Sequence, residues 1–237
     1  MTKRIATKKK TLINQIIICL DRSASKASVH NDARMAYNAW IERIKKEATK
    51  TKQATTVSLV EFGVGAEVIF SGHSCGQLVE RTVFHPADGS TALFDGLNLA
   101  IKTLQEQPIK TTQNESYLLI CITDGQENSS STPPMIVSKA MTELQKTDKW
   151  TFAFLLPPGA KAYFCDSYSI PDGNVQEWEA TTAGVAYASM STCQGISSYY
   201  TSRSAGKMSM SNFYGQPQLP IDTPKTASEI QRQLKNK

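Results

Sequence analysis

The sequence has few of the residues that hold soft or borderline metals. Three histidines, His30, His73 and His85, occur among 237 residues, and His30 and His85 have no nucleophile near them in the chain. The five cysteines, Cys19, Cys75, Cys121, Cys165 and Cys193, form no C-x-x-C pair, share no repeated spacing and, being odd in number, do not all pair within one chain. Cys19 and Cys121 lie inside apolar runs, where a thiol packs as a small hydrophobe, so the expected compartment is a reducing one. No stretch approaches the roughly 20 apolar residues of a membrane span. Ile16 to Leu20 follows basic residues as a signal core would, but it is too short and runs into Asp21 without a small-residue cleavage site. The expectation is a soluble, cytoplasmic protein without a membrane span. There is also no internal repeat and no second candidate core.

Net charge is concentrated in one place. Lys3, Arg4, Lys8, Lys9 and Lys10 account for the whole net charge of +5, leaving a near-neutral body without the basic footprint of a nucleic-acid-binding domain. Any contact with phosphate is expected from this arm alone, and a solvated terminus is its commoner explanation. The organisation read from the sequence is a basic arm over 1–13, one domain over 14–205, and an irregular tail over 206–237 with breakers at Pro217, Pro220 and Pro224.

What is present is an alternation of apolar runs and amphipathic stretches. Ile16–Leu20, Tyr117–Thr123 and Trp150–Leu156 read as strands buried on both faces. Thr56–Phe62 and Ala66–Phe70, separated by Gly63 and Gly65, read as a hairpin, and Val175–Trp178 as a sixth, short strand. Ala36, Trp40, Ile44 and Ala48 mark one helix face over about 32–51. Further helices are expected over about 92–104, after Pro133-Pro134 with Val137, Ala140, Met141 and Leu144 inward, over about 182–202, and near 227–234. This order predicts an α/β fold, a mostly parallel six-stranded sheet with helices on both faces. Trp40 and Trp150 read as packing residues, His73 and Cys75 as parts of a loop with Gly72 and Gly76, and His30 and His85 as surface or capping residues. For Met208, Met210, Phe213 and Tyr214 two readings stand open: packing back on the domain, or docking onto a neighbour.

In such a sheet functional groups gather beyond the carboxyl ends of the strands, where strand order reverses. Asp21, Ser23 and Ser25 leave the first strand there, Thr91 opens the second helix, and Asp124 ends the strand after it. Each alone is an ordinary turn or cap residue; together they make two carboxylates and three hydroxyls. An all-oxygen set suits a hard cation, Mg²⁺ or Mn²⁺ before Ca²⁺, and two carboxylates balance its charge. A coordination position left to water accepts a carboxylate from elsewhere, since the ion would be the strongest local charge.

Asp21-x-Ser23-x-Ser25, then Thr91 ahead of a helix, then Thr123-Asp124-Gly125 after an apolar strand, resembles the von Willebrand factor A domain over roughly 14–202. The resemblance implies a doubly wound sheet with one antiparallel edge strand. It also implies a metal-ion-dependent adhesion site formed by Asp21, Ser23, Ser25, Thr91 and Asp124, and metal-dependent protein binding without catalysis. The partner implied is a protein presenting an acidic side chain. Ala24 stands where many members have glycine, and Arg22 lies beside the ligands, which bears on loop stiffness and access. Asp95 follows Thr91 at a spacing common in the family and reads as a supporting residue on the helix. Two other functions compete. A Mg²⁺-dependent phosphatase needs a second carboxylate where Ser23 stands. A scaffold subunit of a larger assembly, such as a phage virion or a bacterial stress or defence complex, would keep a vestigial metal site.

Overall fold

Strand β1, Ile13–Asp21, is apolar from Ile16 to Leu20 because both of its faces are covered. The computed structural model describes residues 11–23, 30–81, 89–108, 114–123 and 127–215, with the backbone alone for 30–34. After β1 come α1 (His30–Thr51), β2 (Ala54–Phe62), β3 (Ala66–Ser74), α2 (Leu93–Gln105) and β4 (Glu115–Ile122). Then follow α3 (Pro134–Gln145), β5 (Trp150–Leu156), α4 (Lys161–Tyr168), β6 (Val175–Glu177) and α5 (Thr182–Ser204). The strands form one sheet in the order β3-β2-β1-β4-β5-β6. Every neighbouring pair is parallel except β2 and β3, so β3 is an antiparallel edge. This is the doubly wound architecture expected from the alternation of runs.

Alternate residues of the central strands feed two cores. Ile16, Ile18 and Leu20 of β1 pack with Tyr37, Trp40 and Ile44 of α1 and with Ile196 and Tyr199 of α5. Ile17 and Cys19 point the other way, into a cluster with Leu97 and Ile101 of α2, Met141 of α3 and Phe164 of α4. Trp40 and Trp150 are both buried packing residues, and all five cysteines are free thiols. No helix among the described residues is long and apolar enough to cross a membrane.

Two elements depart from expectation. Strand β3 continues beyond Phe70 to Ser74. Register shifts against β2 near Leu59 and the positive φ of Gly72 let the pairing resume past a local irregularity, so His73 belongs to the strand and stacks on Phe70. Cys75 opens a single 3₁₀ turn. Helix α4 was not expected at all: it has two turns, and Phe164 and Tyr168 are its buried residues. Residues 82–88, 109–113 and 216–237 lie outside the described set, and with them His85 and the helix expected near 227–234.

The irregular segment after α5 folds back on the body. Phe213 is buried in the α1–α5 core, with Met210 and Tyr214 packed against it. A Cβ at Gly195 would collide with the Phe213 ring. The Phe213 amide donates to Asn174 Oδ1 at 2.8 Å, and the Met210 amide donates to Thr151 Oγ1 at 3.0 Å. Of the two open readings, packing back is the one observed for these residues. Phe213→Leu should therefore cost about 1–2 kcal/mol in urea unfolding, the loss of a few buried carbons. A surface segment would give no change.

At the amino end of β1 sits a buried cation. Arg203 of α5 is 1% exposed. Its Nε donates to Asn14 Oδ1 at 2.9 Å, Nη1 to Lys207 O at 3.1 Å, and Nη2 to the carbonyls of Ile13 and Asn114 at 3.3 and 2.6 Å. Among the described residues no carboxylate forms an ion pair with it, so backbone dipoles replace its hydration.

Candidate metal site

Asp21 ends β1 at the carboxyl edge of the sheet, between β2 and β4, where strand order reverses. Its side chain is nearly enclosed, at 6% exposure. Oδ1 accepts from the Ser23 amide at 2.7 Å and Oδ2 from the Thr123 hydroxyl at 2.5 Å. These two bonds fix the carboxylate's rotation and draw the ends of β1 and β4 together. Thr123 is itself held: its amide donates to Leu155 O at 3.0 Å, and its carbonyl accepts from Trp178 Nε1 at 3.0 Å.

Thr91 arrives from the far side of β2. The Arg22 amide donates to Phe62 O at 2.8 Å and the Ala92 amide to Gly63 O at 2.7 Å. Consecutive carbonyls at the end of β2 thus anchor two of the three segments that carry expected ligands. Thr91 also exchanges two bonds with Asn128: its amide donates to Asn128 Oδ1 at 2.9 Å, and its carbonyl accepts from the Asn128 amide at 3.2 Å. Ser23 and Thr91 are both buried, at 3% exposure each. The structure therefore brings Asp21, Ser23 and Thr91 to one end of the sheet. Ser25 and Asp124 lie outside the described residues.

The 127–132 segment is tied to α2 by two carboxylates. Glu127 Oε1 accepts from the amides of Ser129 and Ser130 at 2.9 and 2.7 Å. Its Oε2 accepts from Ser130 Oγ at 2.7 Å and from the Phe94 amide at 3.2 Å, in the first turn of α2, where the helix dipole favours an anion. Asp95 accepts from the amides of Ser131 and Thr132 at 2.9 and 2.7 Å. Burial pushes the Asp95 carboxyl up, but the bonds from Thr132 and Ser131 together outweigh it, leaving the group below its ordinary value. Asp95 thus ties the start of α2 to the 127–132 segment. Sequence reasoning did not assign Thr123, Glu127, Asn128 or Trp178. Thr123 lies within the quoted motif and 127–132 follows it directly, whereas Trp178 leaves no sequence signal.

Among the described residues no three His, Cys, Asp or Glu side chains form a group able to hold a metal. A cation at this end would have to draw on hydroxyls together with carboxylates. A buried, rotationally fixed carboxylate at the sheet end that also carries the buried Ser23 and Thr91 fits a hard cation by the chemistry of its donors.

No family model matches the sequence, and no curated protein matches it. Solved structures do. The chain has the von Willebrand factor A fold. The mussel byssus proximal thread matrix protein 1, in the form with a zinc-occupied MIDAS motif, aligns at TM-score 0.53 and 16% identity, over 77% of this chain and 45% of that one. A von Willebrand factor type A protein from Catenulispora acidiphila gives TM-score 0.51 and 16% identity, over 79% and 43%. The SpRpn10 VWA domain gives 0.53 and 12%, over 76% and 95%. The chain thus spans under half of the mussel and Catenulispora proteins.

Proposed function

We propose that Asp21, Ser23, Ser25, Thr91 and Asp124 hold a divalent cation, Mg²⁺ or Mn²⁺, and that the cation captures an acidic side chain of a protein partner without chemistry on it. The observation that carries this reading is Asp21 itself: a buried carboxylate at the switch point, aimed by Ser23 and Thr123. A cation there would offset the cost of burying its charge. The hydroxyls of Ser23 and Thr91 add oxygen donors with little charge of their own, so the bound ion would keep its attraction for an outside anion. A zinc-occupied MIDAS motif in a neighbour of the same fold supports a divalent ion, and the donor chemistry favours a hard one. A phosphatase reading lacks its second carboxylate, because Ser23 stands in that place.

The test is Mn²⁺ binding to chelator-treated protein, followed by water-proton relaxation. Wild type should bind one ion. Thr123→Val keeps the shape but removes the hydrogen bond to Asp21, and should weaken binding about 10- to 100-fold, as loss of a ligand's supporting bond does. Wild type that fails to bind Mn²⁺ would overturn the reading.

A further inference from the structure

Beside Thr123 opens a cavity of about 320 Å³. Phe94 of α2, Leu156 and Pro157 at the end of β5, and Tyr163, Phe164 and Tyr168 of α4 form most of its wall. Small-molecule pockets span roughly 300–1,000 Å³, so this one is at the lower limit and suits a single large side chain better than a cofactor. Its floor is rigid. Phe164 and Tyr168 are buried with ring centroids 4.5 Å apart, and Phe94 lies 5.9 Å from Tyr168. At its mouth Tyr163 is 67% exposed, an uncommon position for a ring on this surface.

The polar group in the wall makes no demand on an occupant. Glu127 lines the cavity, but its two oxygens already accept four hydrogen bonds, from the Ser129, Ser130 and Phe94 amides and the Ser130 hydroxyl. A carboxylate offers about four lone-pair sites, so Glu127 has no acceptor left for a ligand, and most of the remaining wall is aromatic ring and aliphatic surface. It is also continuous with the metal site. Thr123 belongs to both, since its hydroxyl donates to Asp21 and the residue lines the cavity, and Phe94, in the first turn of α2, lies three residues after Thr91.

We infer that this cavity receives one aromatic or large aliphatic side chain of the protein partner, adjacent in sequence to the acidic residue that completes the cation's coordination. The inference rests on the metal-dependent reading above. It assigns the choice of partner to α4 and the end of β5, while the cation supplies capture of the acid.

The test uses the full chain in Mg²⁺ and three capped probe peptides, acetyl-Asp-Phe-amide, acetyl-Phe-Asp-amide and acetyl-Asp-Gly-Phe-amide, each beside its alanine counterpart. At least one phenylalanine peptide should bind about 10- to 100-fold more tightly than its counterpart, the gain from burying one such side chain. Ala160→Phe, which fills the cavity from its rim, should erase that difference and leave Mn²⁺ affinity unchanged. Equal affinities within every pair, with Mn²⁺ bound, overturn the cavity proposal and leave the metal reading standing. If Mn²⁺ does not bind, the metal reading falls, and the phenylalanine peptides are followed in EDTA by the resonances of Tyr163 and Phe164. Shifts that Ala160→Phe abolishes retain the cavity as a side-chain receptor; no shifts overturn it too.

Discussion

If a cation binds as proposed, Asp21→Ala should abolish the stabilisation that Mg²⁺ or Mn²⁺ is expected to give the wild-type protein. A ligand that binds only the native state raises stability by RT ln(1 + [L]/Kd), about 2.7 kcal/mol at a hundredfold excess over Kd. For a domain of this size that corresponds to a rise of roughly 5–10 °C in melting temperature. Thermal melts of wild type and variant, each in EDTA and in millimolar Mg²⁺ or Mn²⁺, read the effect directly. In EDTA the two should lie close together. The variant loses the bonds from Ser23 and Thr123, but it also removes a buried carboxylate whose charge is costly to desolvate. An equal metal-induced rise in both proteins would place the cation elsewhere.

Arg203→Leu costs about 3–5 kcal/mol of stability in urea unfolding, because it strips buried acceptors of the charged donor that satisfies them. Asn14 Oδ1 and the carbonyls of Ile13, Asn114 and Lys207 would all lose a partner at once. Burial also lowers the pKa of Arg203 from its ordinary value, yet a guanidinium stays charged in the physiological range. Arg203→Lys should recover only part of the loss, since an ammonium does not reproduce the planar fork. Neither variant should change Mn²⁺ affinity, because Arg203 lies at the opposite end of β1 from Asp21. A loss below about 1 kcal/mol would show that water replaces the guanidinium without strain.

The parts of the fold visible in the sequence are those where burial on both faces removes all choice. Ile16–Leu20, Tyr117–Thr123 and Trp150–Leu156 read as strands because burial on both faces keeps them nearly all apolar, the exceptions Thr123 and Thr151 being satisfied by Asp21 and the Met210 amide. The stripe of α1 is legible for the same reason. Helix α4 was not, because a two-turn helix buries only Phe164 and Tyr168, too few positions to set a period, and Pro157-Pro158-Gly159 masks its start. That omission hides one wall of the cavity beside Thr123. That Asp21, Ser23 and Thr91 meet at one end of the sheet was legible because each lies at or beside the end of a strand or helix whose pattern the sequence shows. The bond from Trp178 to the Thr123 carbonyl joins residues 55 apart, and no spacing rule reports it. Phe213 likewise looked like part of an irregular tail, since its burial depends on the space left by Gly195.

The two neighbours of β1 have a mechanical consequence. The strand leads from the base of the sheet to Asp21 and is paired with parallel strands on both flanks along almost its whole length. A pull between a partner held at the cation and anything attached ahead of residue 11 would act along this strand. Such a load is shear: the ladders to β2 and β4 share it at once, instead of opening one bond after another as in peeling. Were a partner held at a cation beside Asp21, the handful of contacts there should let go before the sheet does, and the partner would be released without unravelling the strand.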